Sequence, residues 1–330
     1  MRLSKPGASA MLLACVTACA LPASALAQAY PSKSLRIVVP FPAGGTTDIA
    51  ARLVAQRMSE TMGQSVVVEN RGGAGGSLGA DVVAKAPPDG YTLLMHNITF
   101  PLASVSLAIA GRSPYNIDTD FAAVSNVVNV PLVITAHPSV PAKDLRELVA
   151  LLKSNRNLQV NYGSTGPGSF MNVVGEALKR DAKIEMTHIP FKGAAPLKLE
   201  LIAGRVQVGG DQLSSSLGDI RKGSIKALAT NASARIPALP DVPTVRELGF
   251  PGIEANGWNG LFAPAKTPRE VIERIQREVA AAVRTPELAK RFADLGAEAV
   301  GSSPAELDAI LRGQIAQFRP ILTELKPSVE

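Results

Sequence analysis

The hydrophobic positions of this chain switch between two periods. Short unbroken apolar runs alternate with stretches in which apolar residues return every three or four positions, the respective marks of buried strands and one-sided helices. Leu35–Val39 is the first such run. Ile49, Leu53, Val54, Met58 and Met62 follow at helical spacing and predict a helix with one buried face. Residues 66–69 and 91–95 predict two more strands, the second after the turn sequence Pro87-Pro88-Asp89-Gly90. Strands that alternate with helices imply parallel pairing with right-handed crossovers.

A second series begins with LVITA at residues 132–136. Leu145, Leu148, Val149 and Leu152 form the apolar face of the next helix, and strands are expected at 160–162, 185–189, 206–208 and 226–230, with helices through Lys179 and over 197–203. PALPDVPTVRELGFPG is then a proline-punctuated connection, and residues 257–263 open a last segment with three helices, over 268–284, 286–295 and 304–318. Each of those helices has proline near its first turn. No tandem period repeats, so the chain is not a solenoid. The fold class expected is α/β, two lobes facing each other across a cleft. The expected division is a leader over 1–27, the first part of lobe 1 over 28–131, lobe 2 over 132–236, and a return to lobe 1 with the C-terminal helices over 237–330.

The loops that join strand to helix carry the chemistry. PFPAGGTTDIAARL, residues 40–53, places a glycine turn between a strand and a helix, where unpaired N–H groups and the helix dipole favour an anion. Gly44 and Gly45 allow close approach to the backbone, and Thr46, Thr47 and Asp48 can cap the helix. NRGGAGGSLGA, which holds Gly75, and GSTGPGSF, residues 163–170, repeat the device. Loops at the carboxyl ends of parallel strands gather on one edge of a sheet, so residues 40–48, 70–79 and 96–99 should converge there, with Asn97 among them. The candidate binding set is Phe41, Ala43, Gly44, Gly45, Thr46, Thr47, Asp48, Gly75 and Asn97 in lobe 1, and Ser164, Thr165, Gly168, Ser169, Phe170, Lys192 and Asp211 in lobe 2. Backbone amides and hydroxyls would hold a carboxylate or a bridging water. Phe41 and Phe170 are either pocket walls or core. Asp48 either caps the helix or faces a ligand group, Lys192 either pairs with an anion or is solvated, and Asp211 suits the ordering of waters or loops. Trp258, the single tryptophan, is either hinge packing or pocket wall.

Composition narrows the setting. With 330 residues, 46% of them hydrophobic and 19% charged, the chain has enough apolar material for two real cores. Arg2 and Lys5 precede an apolar stretch and then Ala25-Leu26-Ala27, which together read as a secretory signal cleaved after Ala27. Both cysteines, Cys15 and Cys19, lie in that leader, so the mature protein has neither a disulfide nor a thiol. Val16-Thr17-Ala18-Cys19 also resembles a lipobox, and an alternative reading makes Cys19 a lipid-modified first residue. Loss of Arg2 and Lys5 lowers the formal charge from +6 to +4, spread among acids without a basic run, which excludes nucleic acid as a partner.

An enzyme would need a nucleophile, a base or a metal. The three histidines, His96, His137 and His188, have no metal-ligand spacing, GSTGPGS is not a nucleophile elbow, and neither glycine turn is a P-loop or a dinucleotide fingerprint. No cofactor and no metal are expected. A secreted hydrolase using Ser164 or Ser169 with a histidine is the rival reading of another class.

PSKSLRIVVPFPAGGTTDIAAR, VVVENRGGAGGSLGA, PPDGYTLL, YGSTGPGS, PFKGAAP, LPDVPTVRELG and GWNGLFAPAKTP together resemble, in order and spacing, the tripartite tricarboxylate transporter receptors, or Bug receptors, secreted solute-binding proteins of Gram-negative bacteria. The resemblance covers nearly the whole mature chain. It implies a type II periplasmic binding protein fold and a ligand carboxylate held by backbone amides and ordered waters from residues 41–48 and 164–169. It also implies a monomer that passes a dicarboxylate, amino acid or aromatic acid to a membrane permease, or in some members serves as a ligand sensor for a membrane kinase. The chain departs from the family at Asn172-Val173, where histidine and leucine are usual, at Leu197-Lys198-Leu199-Glu200, and at Trp258-Asn259-Gly260. These positions bear on the distal contacts of the ligand.

Overall fold

In the computed structural model, which describes residues 30–325, eleven strands form two separate sheets. The expected leader, its expected cleavage site after Ala27, and Cys19 lie outside the described residues. In chain order the strands are β1 (Leu35–Val39), β2 (Val66–Asn70), β3 (Thr92–Asn97), β4 (Phe121–Asn129), β5 (Leu132–Ala136), β6 (Asn161–Ser164), β7 (Thr187–Pro190), β8 (Val208–Gln212), β9 (Lys226–Thr230), β10 (Trp258–Pro264) and β11 (Glu298–Ala299). The helices are α1 (Thr46–Met62), α2 (Ser77–Ala84), α3 (Thr99–Ile109), α4 (Leu145–Ser154), α5 (Phe170–Ala182), α6 (Ala194–Ile202), α7 (Leu217–Arg221), α8 (Arg269–Val283), α9 (Pro286–Asp294) and α10 (Pro304–Leu325).

The first sheet runs β11-β4-β10-β3-β1-β2 and the second β7-β6-β8-β5-β9. β1 lies parallel between β2 and β3, in the parallel arrangement that the alternating pattern requires. β10 and β5 are antiparallel to their neighbours, because each carries the chain back into a sheet after a crossing between the lobes. Two segments make those crossings, one through Val130 and Pro131 and one through Asn256 and Gly257. They are tied together where the Val130 N–H donates to Gly257 O at 2.9 Å.

The sequence pattern assigns no element between residues 100 and 131, and the structure places α3 and β4 there. α3 is apolar on all sides, with residues 99–106 buried, so it has no helical stripe to read. α1 ends on Gly63, whose φ of +66° is the left-handed cap that halts a helix. α4 is introduced by Asp144, which accepts the Glu147 N–H at 2.8 Å. The apolar faces of α1 and α8 pack against the first sheet, burying Val54, Met58, Ile275 and Val279 with Val39 and Val127. α10 lies across both lobes. Its Phe318 meets Phe170 of α5 edge to face at 6.4 Å, and its Glu324 pairs with Arg180 of α5 at 2.6 Å.

Candidate functional site

Two strand–turn–helix units, one per lobe, bring their helix starts to the seam between the lobes. In lobe 1 the chain leaves β1, turns at Gly44 with φ +86°, and enters α1. The Gly44 N–H donates to Asp48 Oδ2 at 2.9 Å. Asp48 Oδ1 accepts Asn70 Nδ2 at 2.8 Å and Arg52 Nε at 3.0 Å, and Asn70 Nδ2 also reaches Phe41 O at 3.0 Å. Burial works to raise the Asp48 carboxyl, but the donors from Arg52, Gly44 and Asn70 outweigh it and hold the group below the usual carboxylate range. Asp48 thus organises the loop, with its oxygens committed to protein donors.

Lobe 2 repeats the plan after β6. Gly168, with φ +70°, donates its N–H to Asn172 Oδ1 at 3.0 Å, and α5 begins at Phe170. In both helices the first N–H groups have no carbonyl partner within the helix. At each start stands a buried hydroxyl, Thr46 Oγ1 or Ser169 Oγ, with no hydrogen-bond partner among the described residues. Backbone donors, a helix dipole and an unpaired buried hydroxyl meet in each turn, a cradle of the kind that can hold an anion.

The lobes meet closely around these turns. A Cβ on Gly75, whose φ is +62°, would lie 2.7 Å from Pro167 O, and one on Gly193 would lie 2.7 Å from Pro42 Cδ. Gly168 faces Ala103 and Ser106 of α3. A buried polar chain joins the lobes beneath the turns. Asn97 Nδ2 donates to Thr47 Oγ1 at 3.0 Å, Thr47 Oγ1 to Asn259 Oδ1 at 2.8 Å, Asn259 Nδ2 to Gln212 Oε1 at 3.1 Å, and Gln212 Nε2 to Trp258 O at 3.1 Å.

The other candidates fall in different places. Gly45 and Thr165 are buried in the two turns, and Ala43 is exposed on the outer rim of the first. Phe41 is buried edge-on to His96 at 5.2 Å within lobe 1, and Phe170 is buried against α10, the helix that spans the lobes, so both rings serve packing. Lys192 is exposed beside Gly193 at the lobe seam. Asp211 points to the α6 side of β8, where it lines a small cavity with Thr135, Lys198 and Ser215, and desolvation pushes its carboxyl up to about 6. The side chain of this strand end that joins the interlobe chain is its neighbour, Gln212. Trp258 is buried, its indole Nε1 donating to Gln314 Oε1 at 2.7 Å. A cavity of about 1160 Å³ lies on the hinge side, lined by Trp258, Arg221 and Glu298 among others, and none of the turn residues faces it.

Ser164 Oγ stands 2.7 Å from His188 Nε2, the geometry a hydrolase reading would look for. The hydroxyl is fully buried, however, and is bonded to both the N–H and the carbonyl of Gly166 at 3.1 Å. His188 has an amide, Asn172, beside its other ring nitrogen at 3.5 Å, where a triad has a carboxylate. Among the described residues no cluster of three or more His, Cys, Asp or Glu side chains is placed to hold a metal ion, and no helix is long and apolar enough to cross a membrane.

Residues 50–326 match the model of the tripartite tricarboxylate transporter family receptor. The chain belongs to that receptor family. Among solved receptors of similar structure, MatC of Rhodopseudomonas palustris with bound malate is 34% identical, with a TM-score of 0.83 over 89% of this chain and 100% of MatC. The periplasmic binding protein BugD is likewise 34% identical, with a TM-score of 0.83 over 90% of this chain and 98% of its own. Rpa4515 of R. palustris with adipate is 32% identical, with a TM-score of 0.81 over 91% and 99% of the two chains. As a receptor of this family the chain has the expected α/β architecture, a two-lobed periplasmic binding protein fold, and its class is that of solute-binding receptors.

The sequence reading leaves Arg52 and Gln212 unmarked; it places Asn70 in a converging loop, names Asn172 and Asn259 as departures from the family pattern and His188 as a histidine without metal-ligand spacing, and gives none of them these bonds. Asn70 carried a signal, since it ends a parallel strand at its carboxyl edge and opens a glycine loop. Gln212 is one residue from Asp211, and strand alternation sends the two side chains to opposite faces.

Proposed function

We propose that this receptor captures a small carboxylate between the turn at residues 41–48 of lobe 1 and the turn at residues 164–170 of lobe 2, closes around it, and delivers it from the periplasm to a membrane permease without chemical change. The observation that carries the reading is the pair of buried, unpartnered hydroxyls, Thr46 Oγ1 and Ser169 Oγ, one at each helix start. Leaving such groups unpaired costs about 1–3 kcal/mol each, and a carboxylate or a water that it orders would recover that cost in both lobes. Closure would remove water from the site and strengthen each hydrogen bond. The malate and adipate held by related receptors support small dicarboxylates as the first ligands to test.

The test is a thermal-shift screen of residues 28–330, refolded to remove carried-over ligand, against malate, adipate, amino acids and aromatic acids. A rise in midpoint with one class of acid, lost in the Thr46→Val and Ser169→Ala variants, is the expected result. A hit whose affinity neither variant changes overturns the two-turn site. Turnover of an ester or amide substrate, abolished by Ser164→Ala, would replace the receptor reading with the hydrolase.

A further inference from the structure

The lobe 2 turn is held by a chain of hydrogen bonds whose direction can be read from one end to the other. Asn172 is buried in the first turn of α5, and its Oδ1 accepts the Gly168 N–H, which fixes the orientation of the amide. Its Nδ2 therefore faces the Tyr162 hydroxyl at 3.4 Å and His188 Nδ1 at 3.5 Å. Tyr162 gives its own hydrogen to Glu176 Oε1 at 2.5 Å, so its oxygen is available to accept. An amide nitrogen only donates, so His188 Nδ1 accepts and the neutral ring carries its hydrogen on Nε2. That hydrogen points at Ser164 Oγ, 2.7 Å away. Ser164 also accepts the Gly166 N–H and gives its own hydrogen to Gly166 O, both at 3.1 Å. With this polarity every hydrogen has an acceptor. With the hydrogen on Nδ1 instead, two donors would face each other, and Ser164 would have to turn away from Gly166 O to satisfy the ring.

We propose that Asn172 and His188 are positioning residues, a one-way relay from Asn172 through His188 and Ser164 to Gly166 that fixes the shape of the 164–169 turn and thereby its affinity for a carboxylate. The affinity part rests on the reading of that turn as half of the ligand site; the shape part does not. A consequence for chemistry follows: Nε2 is the donor to Ser164, so His188 is not a base toward it. A consequence for pH follows as well. Protonated His188 would put a second hydrogen on Nδ1 against the Asn172 amide. Burial of the ring and Lys179 on α5 oppose that charge, Glu176 on α5 favours it, and the stacked Tyr162 ring on β6 is neutral, with the balance keeping the ring below its ordinary pKa.

Three histidines make the relay observable by long-range proton–nitrogen spectra of histidine-labelled protein. His188 is expected to carry hydrogen on Nε2 in the ligand-free protein. Asn172→Asp keeps an acceptor for Gly168 but offers His188 an acceptor too, and should move the hydrogen to Nδ1. His188→Phe keeps the stack on Tyr162 without the donor, and should raise amide exchange at Gly166 and Gly168 on the order of tenfold, with His188→Gln closer to wild type. An Nδ1–H tautomer in the wild type, or unchanged exchange in His188→Phe, overturns the relay. With malate as probe, Asn172→Asp and His188→Phe should each weaken binding on the order of tenfold. Wild-type affinity in both overturns the relay's role in binding. A wild type that ignores malate and every other acid, with tautomer and exchange as expected, counts against the ligand reading and leaves the turn-shaping role supported.

Discussion

The two cradles are built to one plan and braced in different ways. Each has a glycine of positive φ two residues before a helix, and each glycine N–H donates to the side chain of the helix's third residue, Asp48 at 2.9 Å in lobe 1 and Asn172 at 3.0 Å in lobe 2. In lobe 1 the acceptor is ionised and is balanced by Arg52 and Asn70. In lobe 2 it is a neutral amide that passes its polarity on through His188 to Ser164. The turn therefore needs an acceptor at that position, not a charge. On the proposal that the turns hold a carboxylate the difference bears on ligand, since a fixed negative charge beside an anion must be offset by a nearby cation and a neutral amide needs none. Lobe 1 has that cation in Arg52.

The largest expected effect comes from removing the acceptor altogether. Asp48→Ala leaves the Gly44 N–H and the Asn70 amide without their buried partner, and should cost about 3 kcal/mol in urea denaturation. Asp48→Asn copies the lobe 2 brace into lobe 1 and should cost less, about 1 kcal/mol. Equal losses in the two variants would mean that lobe 1 needs the charge, and the parallel between the cradles would fail.

Next in size is the contact that brings the cradles together. A side chain on Gly75 would meet Pro167 O across the seam while standing at φ +62°, so Gly75→Val should keep the lobes apart. Malate affinity should fall by about tenfold or more in calorimetry, with each sheet still folded by circular dichroism. Unchanged affinity would show that ligand is held without the lobes meeting here.

These supports also mark the limit of what the sequence could tell. The glycine turns, the parallel β1–β3 unit and the C-terminal helices were legible because their signals are local: an apolar run, a glycine, a proline at a helix start. α3 was not, because a helix buried all round has no polar face to set its period. Thr46 and Ser169 were legible as helix-start residues for the same local reason. Asp211 and Gln212 were not separable, because which face of β8 looks toward Asn259 depends on register in a sheet whose strands lie far apart in sequence. His188 was legible as a ligand-facing or structural histidine but its tautomer was not, since the amide that sets it lies 16 residues away.

The lobes should differ in their response to acid too. In lobe 1 burial pushes His96 down to about 3 from 6.5, so its contribution is complete above pH 6.5 and is lost as pH falls toward 3. In lobe 2 burial pushes Asp211 up to about 6 from 3.8, so its contribution is complete below pH 3.8 and is lost as pH rises toward 6. Between pH 3.8 and 6 the two slopes oppose each other, each at most about 1.4 kcal/mol per pH unit. Urea midpoints measured across that range should fall more steeply on acidification in Asp211→Asn and less steeply in His96→Gln. Identical profiles in both variants would place the acid response elsewhere.

The smallest effect, and the one that isolates charge from geometry, is at Arg52. Its side chain is 52% exposed, so its pairing with Asp48 is screened by solvent, and Arg52→Ala should cost under about 1 kcal/mol while Gly44 and Asn70 keep the carboxylate engaged. What it removes is the compensation for Asp48 beside the proposed anion site. Arg52→Ala should therefore weaken malate binding more at low salt than at high, since screening relieves the exposed repulsion between Asp48 and the ligand. The lobe 2 counterpart has no such charge to expose, so His188→Phe should weaken malate binding by the same factor at either salt concentration. If the two variants respond alike to salt, the ionised and neutral braces are not distinguished by charge, and the neighbouring Asn70 and Gly44 donors already neutralise Asp48 without Arg52.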